Sequence, residues 1–351
     1  MTRYHANLVG WGMSVPDNVL TNDDLAKMVD TSDEWIRSRS GIVERHIVQE
    51  GETTKTMSVD ASKKALERAG LTAQDLDLIL IATSSPDEFI PPVSSRIQHE
   101  LGAQCGAMTL IVGCTGFLYA LVTAEQFIAT GAAKNVLVVG VETISRNLDW
   151  SDRTTCVLFG DGAGAVVLQA TETPCGVQSH LLGSDGSGAD HLMAPGVGAR
   201  TVMTPGMIER GEHYLRMNGR EVFKFATGKM VEALAQVMAE AEVGADDIDL
   251  FVPHQANRRI IEYAAAQAGF PMDKVYINLD RYGNTSAASV PLALNEALDR
   301  GLAGPGDTLA LVAFGSGLTW GATIFELGSM QSEEKQSEKH RAALEHEAVA
   351  A

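Results

Sequence analysis

The hydrophobic pattern of the chain centres on residues 101–124, LGAQCGAMTLIVGCTGFLYALVTA, which carry no charged side chain. Glycines and polar residues interrupt this run, which argues against a membrane-spanning helix. Because β-branched residues precede the glycines and helix formers follow them, the pattern predicts three elements. These are a buried strand over residues 108–112, a Gly-Cys-Thr-Gly turn, and a buried helix from about Phe117.

Cys114 lies in that predicted turn, where a strand gives way to a helix. The free N–H groups and the positive dipole end of a helix favour a thiolate over a thiol, and the thiolate is the nucleophilic form. Free cysteines are also common as small buried core residues. This stretch alone therefore leaves a nucleophile and a core residue as alternatives.

Elsewhere the pattern predicts strands that alternate with helices. The N-terminal region predicts a strand, a helix capped by Thr21 or Asn22, and a further cap at Thr31 or Ser32. A helix over about residues 56–69 is followed by the apolar run LDLILIATSS, which is typical of a buried strand in a parallel sheet.

The second half of the chain repeats this arrangement. Asp77 corresponds to Asp249 and Gly140 to Gly315, and the two pairs have nearly the same sequence separation, which indicates a duplicated α/β unit. Such a unit predicts mainly parallel sheets covered by helices. We expect an N-terminal half over residues 1–175, a C-terminal half over 176–328 and a charged, disordered tail over 329–351. A long surface loop is expected over 183–210.

Composition narrows the possible partners. The 351 residues are 45% hydrophobic and 21% charged, with a formal net charge of −18, which argues against binding to nucleic acid or an anionic membrane. An anionic substrate would need a local basic patch. The four cysteines have no C-x-x-C spacing and the N-terminus has no apolar signal-peptide region, so we expect free thiols in the cytoplasm and no metal centre.

Two more residues are candidates for chemistry beside Cys114. His254 directly follows the predicted strand DLFVP, and Asn284 lies in a glycine-led turn, YGNTSAAS, before an apolar helix. In the duplication Cys114 and Asn284 occupy corresponding places, so a pseudo-twofold would bring their helix starts together, with His254 arriving from a neighbouring strand. Taken singly, His254 could be a core imidazole and Asn284 a turn or cap residue.

Six blocks between residues 4 and 327 resemble β-ketoacyl-acyl-carrier-protein synthase III, a condensing enzyme of the thiolase superfamily: TSDEWIRSRSGIVERH, GCTGFLYAL, FGDGAGAVVL, VPHQANRRI, DRYGNTSAASVPLAL and AFGSGLTWG. The resemblance implies the α/β thiolase-like five-layered αβαβα fold, built from two duplicated halves, and a homodimer. It also implies decarboxylative Claisen condensation of an acyl-CoA primer with malonyl-acyl-carrier protein, which starts fatty-acid synthesis. The coenzyme A thioester is a substrate in that reaction, and no cofactor is expected.

Chemistry explains the residue types that the resemblance assigns to the site. A thiolate attacks and leaves well, so Cys114 would carry the acyl group. His254 and Asn284 would donate hydrogen bonds to the enolate formed on decarboxylation. The resemblance assigns a second oxyanion site to the backbone N–H groups of Cys114 and Ser316, where neighbouring glycines permit a close approach.

The resemblance further implies binding residues for both substrates. Trp35 and Arg153 would sandwich the adenine of coenzyme A, although Trp35 could also be a half-buried structural anchor. The remaining coenzyme A, acyl-pocket and carrier-docking positions are Arg39, Asn257, Gly219, Phe89, Phe314, Lys224, Arg258 and Arg259.

Three departures from the family pattern affect substrate choice. The stretch MTLIVG before Cys114 replaces a run of small residues after an Asp, Ile90 separates Phe89 from Pro91, and residues 266–267 lack the lysines of many relatives. Acyl length and carrier docking are therefore open. A specialised acyltransferase or condensing enzyme of secondary metabolism, and a non-catalytic acyl-CoA-binding protein, are the alternatives.

Overall fold

The computed structural model describes residues 4–200 and 202–329. Apart from Ser329, the tail for which disorder was predicted lies outside the described residues. The strands in the described ranges are β1 (His5–Ser14), β2 (Val19–Thr21), β3 (Glu44–His46), β4 (Leu78–Ala82), β5 (Gly106–Leu110), β6 (Asn135–Glu142), β7 (Gly162–Thr171), β8 (Gly176–Ser184), β9 (Leu192–Met193), β10 (Arg216–Met217), β11 (Leu250–Pro253), β12 (Thr308–Gly315) and β13 (Thr319–Glu326).

The helices of the same ranges are α1 (Asn22–Ala26), α2 (Asp33–Ser40), α3 (Thr54–Ala69), α4 (Val93–Leu101), α5 (Gly116–Ala129), α6 (Pro205–Glu209), α7 (Gly219–Glu240), α8 (Arg258–Ala268), α9 (Leu279–Tyr282) and α10 (Ser289–Asp299). Thr21 and Ser32 are the N-caps of α1 and α2, each accepting a hydrogen bond from a backbone N–H of the first turn. Both caps agree with the sequence. Within the described ranges, none of these helices combines the length and apolarity needed to cross a bilayer.

Two sheets and three helical layers make up the core. The first sheet has the strand order β1-β7-β6-β4-β5, and the second has the order β11-β12-β13-β8. Helices α5 and α10 pack between the sheets in one apolar cluster, α3 and α4 cover the outer face of the first sheet, and α7 and α8 cover the second. This is the expected five-layered αβαβα fold.

The two equivalent aspartates show how closely the halves correspond. The Asp77 carboxylate accepts hydrogen bonds from the backbone N–H groups of Lys134 and Asn135 at the start of β6. The Asp249 carboxylate accepts one from Thr308 at the start of β12. Each aspartate therefore ties its own strand to the next strand of its sheet, which explains why the sequence repeats there.

The sheets are more mixed than the sequence predicted. Strand β4 pairs in parallel with β5 and β6, and β11 pairs in parallel with β12. Strands β1, β7, β13 and β8 add antiparallel pairs instead. The expectation of mainly parallel sheets is wrong, because β7 and β13 return beside their preceding strands without a crossover helix.

The strand before the nucleophile also differs from the prediction. It covers Gly106–Leu110 and forms the edge of the first sheet. Met108 is 39% exposed and Ile111, beyond the strand, is 57% exposed. The prediction of a buried strand over residues 108–112 is wrong for the single chain, since hydrophobic sequence does not reveal that a strand lies at an edge.

Candidate active site

Cys114 lies in a 3₁₀ turn, Gly113–Thr115, that leads directly into α5. Gly113 has φ +58°, and a side chain there would come within 3.1 Å of the backbone of Ser316. Only glycine suits both this conformation and this close approach. Thr115 and Thr319 join the two turns through their hydroxyls, which are 2.8 Å apart. The sequence-predicted strand–turn–helix arrangement is thus confirmed.

The close approach brings two backbone donors to the nucleophile. The backbone N–H groups of Cys114 and Ser316 both lower the pKa of the Cys114 thiol. Such donors can stabilise an oxyanion on an acyl group bound at that sulfur.

The ionisation state of Cys114 differs from the sequence-based expectation. Burial raises the pKa of the thiol to about 12, although the neighbouring Ser286 side chain and the backbone N–H groups of Cys114 and Ser316 lower it. The negative charge of Glu142 adds to the increase. Desolvation therefore outweighs the groups that lower the pKa, and burial favours the thiol over the thiolate in the resting site.

His254 directly follows β11 and is only 1% exposed. Its Nδ1 lies 2.6 Å from the oxygen of the Ser289 hydroxyl, and that oxygen accepts a hydrogen bond of 2.8 Å from the Gln255 N–H. Burial lowers the pKa of His254 to about 3, so the ring is neutral. Ser289 can donate its proton to Nδ1, which leaves Nε2 as the N–H of the ring.

Asn284 is held so that its amide nitrogen is available. Its Oδ1 accepts a hydrogen bond of 2.9 Å from the Ser286 N–H, and its backbone N–H donates to the Leu158 carbonyl at 2.8 Å. Because Oδ1 is engaged, the Nδ2 group is the free donor of the side chain.

The three residues meet in one narrow, mainly apolar pocket. Phe314 packs edge-on against the His254 ring, with 5.2 Å between the ring centroids. The pocket is lined by Cys114, His254, Asn284, Phe314, Gly219, Asn257, Phe223, Met217, Leu158, Phe159, Leu192, Val222, Ala256, Ile260 and Gly315. The structure therefore places six predicted site residues, including Gly219, Asn257 and Phe314, around one cavity.

Three predicted coenzyme A residues lie outside this cavity. The Arg153 guanidinium is 5.3 Å from the centroid of the Trp35 ring, so the two side chains face each other. Arg39 is exposed, and its carbonyl accepts a hydrogen bond of 2.9 Å from the Asn257 side chain. Asn257 thereby links Arg39 to the pocket lining.

The residues predicted to meet partners are all exposed. Phe89 is 56% exposed and does not line the pocket of its own chain. The Arg259 guanidinium lies 5.7 Å from the Phe223 ring, beside the pocket, and Lys224 follows Phe223 on α7. Arg258 instead pairs with Glu262 at 2.8 Å.

Sequence reasoning missed three polar residues behind the site: Glu142, Ser286 and Ser289. Glu142 is fully buried at the end of β6, and burial raises its pKa to about 7. Its only signal in the sequence is an acidic residue at the end of an apolar run, NVLVVGVE.

A cysteine at a helix start, beside neutral imidazole and amide donors and two backbone N–H groups, is an arrangement suited to acyl transfer, and the five layers around it are those of a thiolase-like fold. Family models described as 3-oxoacyl-[acyl-carrier-protein] synthase III and its C-terminal part match residues 109–186 and 238–327. The β-ketoacyl-[acyl-carrier-protein] synthase III of a Roseiflexus species is 48% identical over 91% of this chain and 98% of its own length. The chain belongs to the β-ketoacyl-acyl-carrier-protein synthase III family and is a condensing enzyme.

Solved structures agree with this assignment. The synthase III of Aquifex aeolicus is 44% identical, with a TM-score of 0.85 over 92% of this chain and 99% of that one. The priming β-ketosynthase of the R1128 polyketide pathway is 33% identical, with a TM-score of 0.86 over 93% and 97% of the two chains. These similarities, together with the layers described above, establish the thiolase-like fold.

Proposed function

We propose that the protein condenses an acyl-CoA primer with malonyl-acyl-carrier protein and thereby starts fatty-acid synthesis. The convergence of Cys114, His254 and Asn284 in one apolar pocket carries this proposal. The Cys114 sulfur attacks the primer thioester, and the backbone N–H groups of Cys114 and Ser316 stabilise the resulting oxyanion. Coenzyme A then leaves, and the acyl group remains on Cys114.

The same pocket supports the second step. Decarboxylation of the malonyl thioester develops negative charge on its thioester oxygen, and Nε2 of His254 and Nδ2 of Asn284 donate to that oxygen. Because both donors are neutral, they stabilise the enolate without protonating its carbon. That carbon then attacks the acyl group on Cys114.

The coenzyme A nucleotide would bind at the pocket mouth. Adenine inserts between Trp35 and Arg153, which already face each other, and the phosphates bind near Arg39. Gly219, Asn257 and Phe314 contact the pantetheine arm along the pocket. The thioester is thus the substrate, with no resident cofactor.

All four cysteines are free, which supports a reducing compartment such as the cytoplasm.

We further propose a homodimer formed through the first sheet. Strand β5 is an edge strand with exposed Met108, and the nearby Phe89 and Ile90 are 56% and 90% exposed. An exposed apolar edge is a ready site for pairing with a second copy. Phe89, which does not reach its own pocket, would then contribute to the acyl site of the partner.

The similarity to a polyketide-priming ketosynthase supports a second candidate, a condensing enzyme of secondary metabolism. The bulky residues of the stretch MTLIVG, before Cys114, also affect which primer is accepted, since they would reshape the space for its acyl chain. A panel of acyl-CoA primers with malonyl-carrier protein distinguishes the two. Preference for acetyl-CoA supports fatty-acid initiation, whereas preference for longer or unusual primers supports the alternative.

The division of labour can be tested by separating the two steps. His254→Ala and Asn284→Ala should allow labelling of Cys114 by radioactive acetyl-CoA but lower malonyl decarboxylation by about 10²-fold each, the usual loss for one oxyanion donor. Cys114→Ser should abolish labelling, because a serine hydroxyl gives up its proton less readily than a thiol and is the weaker nucleophile. Loss of labelling with intact decarboxylation in the first two variants would refute the assignment. Binding without any acyl-Cys114 in the unsubstituted protein would indicate a non-catalytic acyl-CoA-binding protein.

A further inference from the structure

We propose that Glu142 accepts the thiol proton of Cys114, passed through the Ser286 hydroxyl, when Cys114 attacks the primer. This relay rests on the proposed function and adds a proton acceptor to it. A thiol that is protonated at rest must lose its proton as it attacks, and neither backbone donor can take that proton.

Glu142 is placed behind the nucleophile by a set of short hydrogen bonds. Its carboxylate accepts from the Ser85 hydroxyl at 2.5 Å, from the Ser84 N–H at 3.1 Å and from the Ser286 hydroxyl at 3.1 Å. The side chain is fully buried. These donors hold one carboxylate oxygen toward Ser286, which fixes the direction of the relay.

Ser286 joins Glu142 to both chemical groups of the pocket. The turn that carries Ser286 packs against the turn that carries Cys114, and the Ser286 side chain lowers the pKa of the Cys114 thiol. The Ser286 hydroxyl donates to Glu142, while its N–H donates to Asn284. The residue has φ +50°, a strained conformation for a non-glycine residue. Strain of this kind at a functional site is sustained by surrounding contacts, and here those contacts place the hydroxyl between donor and acceptor.

Glu142 suits the acceptor role better than His254. Burial lowers the pKa of His254 to about 3, which makes its ring a poor base, whereas burial raises the pKa of Glu142 to about 7. A base is most effective when its pKa lies near the working pH. His254 thus remains a neutral donor while Glu142 handles the proton.

The step is balanced in protons and bonds. The Cys114 S–H bond breaks as its proton goes to the Ser286 oxygen, and the Ser286 proton goes to Glu142. The sulfur forms a bond to the acyl carbon. When the tetrahedral adduct collapses, the bond to the coenzyme A sulfur breaks, and the same relay returns one proton to that departing thiolate.

The surroundings of Glu142 bear on its titration. From the turn before α5 the Cys114 thiol faces it, and from the 3₁₀ turn before α10 Ser286 faces it. Glu142 pairs with Gly162, the first residue of the neighbouring strand β7, and Asp161 directly precedes that glycine. The Asp161 carboxylate accepts hydrogen bonds from the Ser145 hydroxyl and the Val48 N–H.

The test measures acylation of Cys114 by acetyl-CoA as a function of pH. In the unsubstituted protein the rate should rise with pH through a midpoint near 7, because Glu142 must be ionised to accept the proton. Glu142→Gln should lower the rate at pH 8 by about 10²-fold and remove this midpoint. Ser286→Gly should do the same, and glycine tolerates the positive φ at that position.

Ser85→Ala is the matched control, because it removes a hydrogen bond to Glu142 without breaking the relay. That hydrogen bond lowers the Glu142 pKa, so its loss should move the acylation midpoint to higher pH. A purely structural carboxylate would not produce this shift. Isolated acyl-enzyme of Glu142→Gln should condense with malonyl-carrier protein within about threefold of the normal rate.

Unchanged acylation and an unchanged midpoint in Glu142→Gln would overturn the relay, as would equal losses in acylation and condensation. If Glu142→Gln does not fold, Ser286→Gly decides by the same two criteria. Absence of any acyl-Cys114 in the unsubstituted protein would instead overturn the proposed function itself, together with the relay built on it.

Discussion

At the residue scale, two buried ionisable groups respond to pH in opposite ways. The pKa of Glu142 rises from 4.5 to about 7 and that of His254 falls from 6.5 to about 3, both mainly through burial. The Glu142 contribution to stability is therefore complete below pH 4.5 and is lost as the pH rises through 7. The His254 contribution is complete above pH 6.5 and is lost as the pH falls toward 3.

This linkage gives a prediction for Glu142→Gln. Relative to that of the unsubstituted protein, the free energy of unfolding of Glu142→Gln should rise by roughly 2 kcal/mol between pH 5 and pH 8, because only the carboxylate must ionise in a dry site. Urea unfolding at the two pH values measures the change.

Glu296→Gln provides the control for that prediction. Its hydrogen bond to Arg281 helps to lower the Glu296 pKa against the opposing effect of burial, so this group is ionised in both folded and unfolded states above pH 5. Its effect on stability should be the same at pH 5 and pH 8. A similar pH dependence in both variants would contradict a raised Glu142 pKa.

At the element scale, the two sheets differ at their edges. In the second sheet β11 is followed at its edge by a short segment in which Val275 bridges to Phe251 and the Tyr276 N–H donates to the Phe251 carbonyl at 2.9 Å. In the first sheet the corresponding position beside β4 holds the full strand β5. The outer side of β5 pairs with no other strand of the described residues. The first sheet is therefore the one suited to pair with a second copy.

Met108→Lys should test that pairing. In the proposed dimer a charge at the centre of β5 would be buried without a partner, so Met108→Lys should sediment as a monomer and the unsubstituted protein as a dimer. Leu302→Lys alters a comparably exposed apolar residue, 46% exposed, beyond α10 and should leave the dimer intact. A dimeric Met108→Lys variant would place the interface elsewhere.

At the scale of the whole molecule, the net charge of −18 opposes an acidic carrier protein. The three predicted docking residues are not equivalent in the structure, since Arg258 is paired with Glu262 whereas Arg259 and Lys224 have no ion pair within the described residues. We therefore expect an acidic carrier protein to be attracted mainly by Arg259 and Lys224.

Arg259→Glu should accordingly raise the KM for malonyl-carrier protein by about tenfold and leave the KM for the acyl-CoA primer nearly unchanged. Arg258→Glu is the matched control with a smaller expected effect, because Glu262 already offsets its charge. Steady-state kinetics with each substrate varied in turn separate the two. If neither KM changes, the extender unit docks elsewhere or arrives as malonyl-CoA.

The sequence alone predicted the alternation of helices and strands, a duplicated α/β unit and the three central residues of the candidate site. These depend on local patterns: Cys114 in a strand–turn–helix, His254 at a strand end and Asn284 in a glycine-led turn. These patterns can be read from the sequence because each half must bury its own apolar strands, which gives the strands a recognisable run of hydrophobic residues. The resemblance to a known family then supplied the chemistry that links the three.

Only the tertiary structure decided what depends on contacts between distant segments. Desolvation by the folded protein favours the thiol form of Cys114 at rest, and the packing of β6 against the turn before α10 brings Glu142 to Ser286. The position of β5 at a sheet edge likewise exposes residues whose hydrophobicity predicted burial. The burial of a side chain, its pKa and the position of a strand in a sheet depend on contacts between distant segments. A local sequence pattern therefore does not predict them.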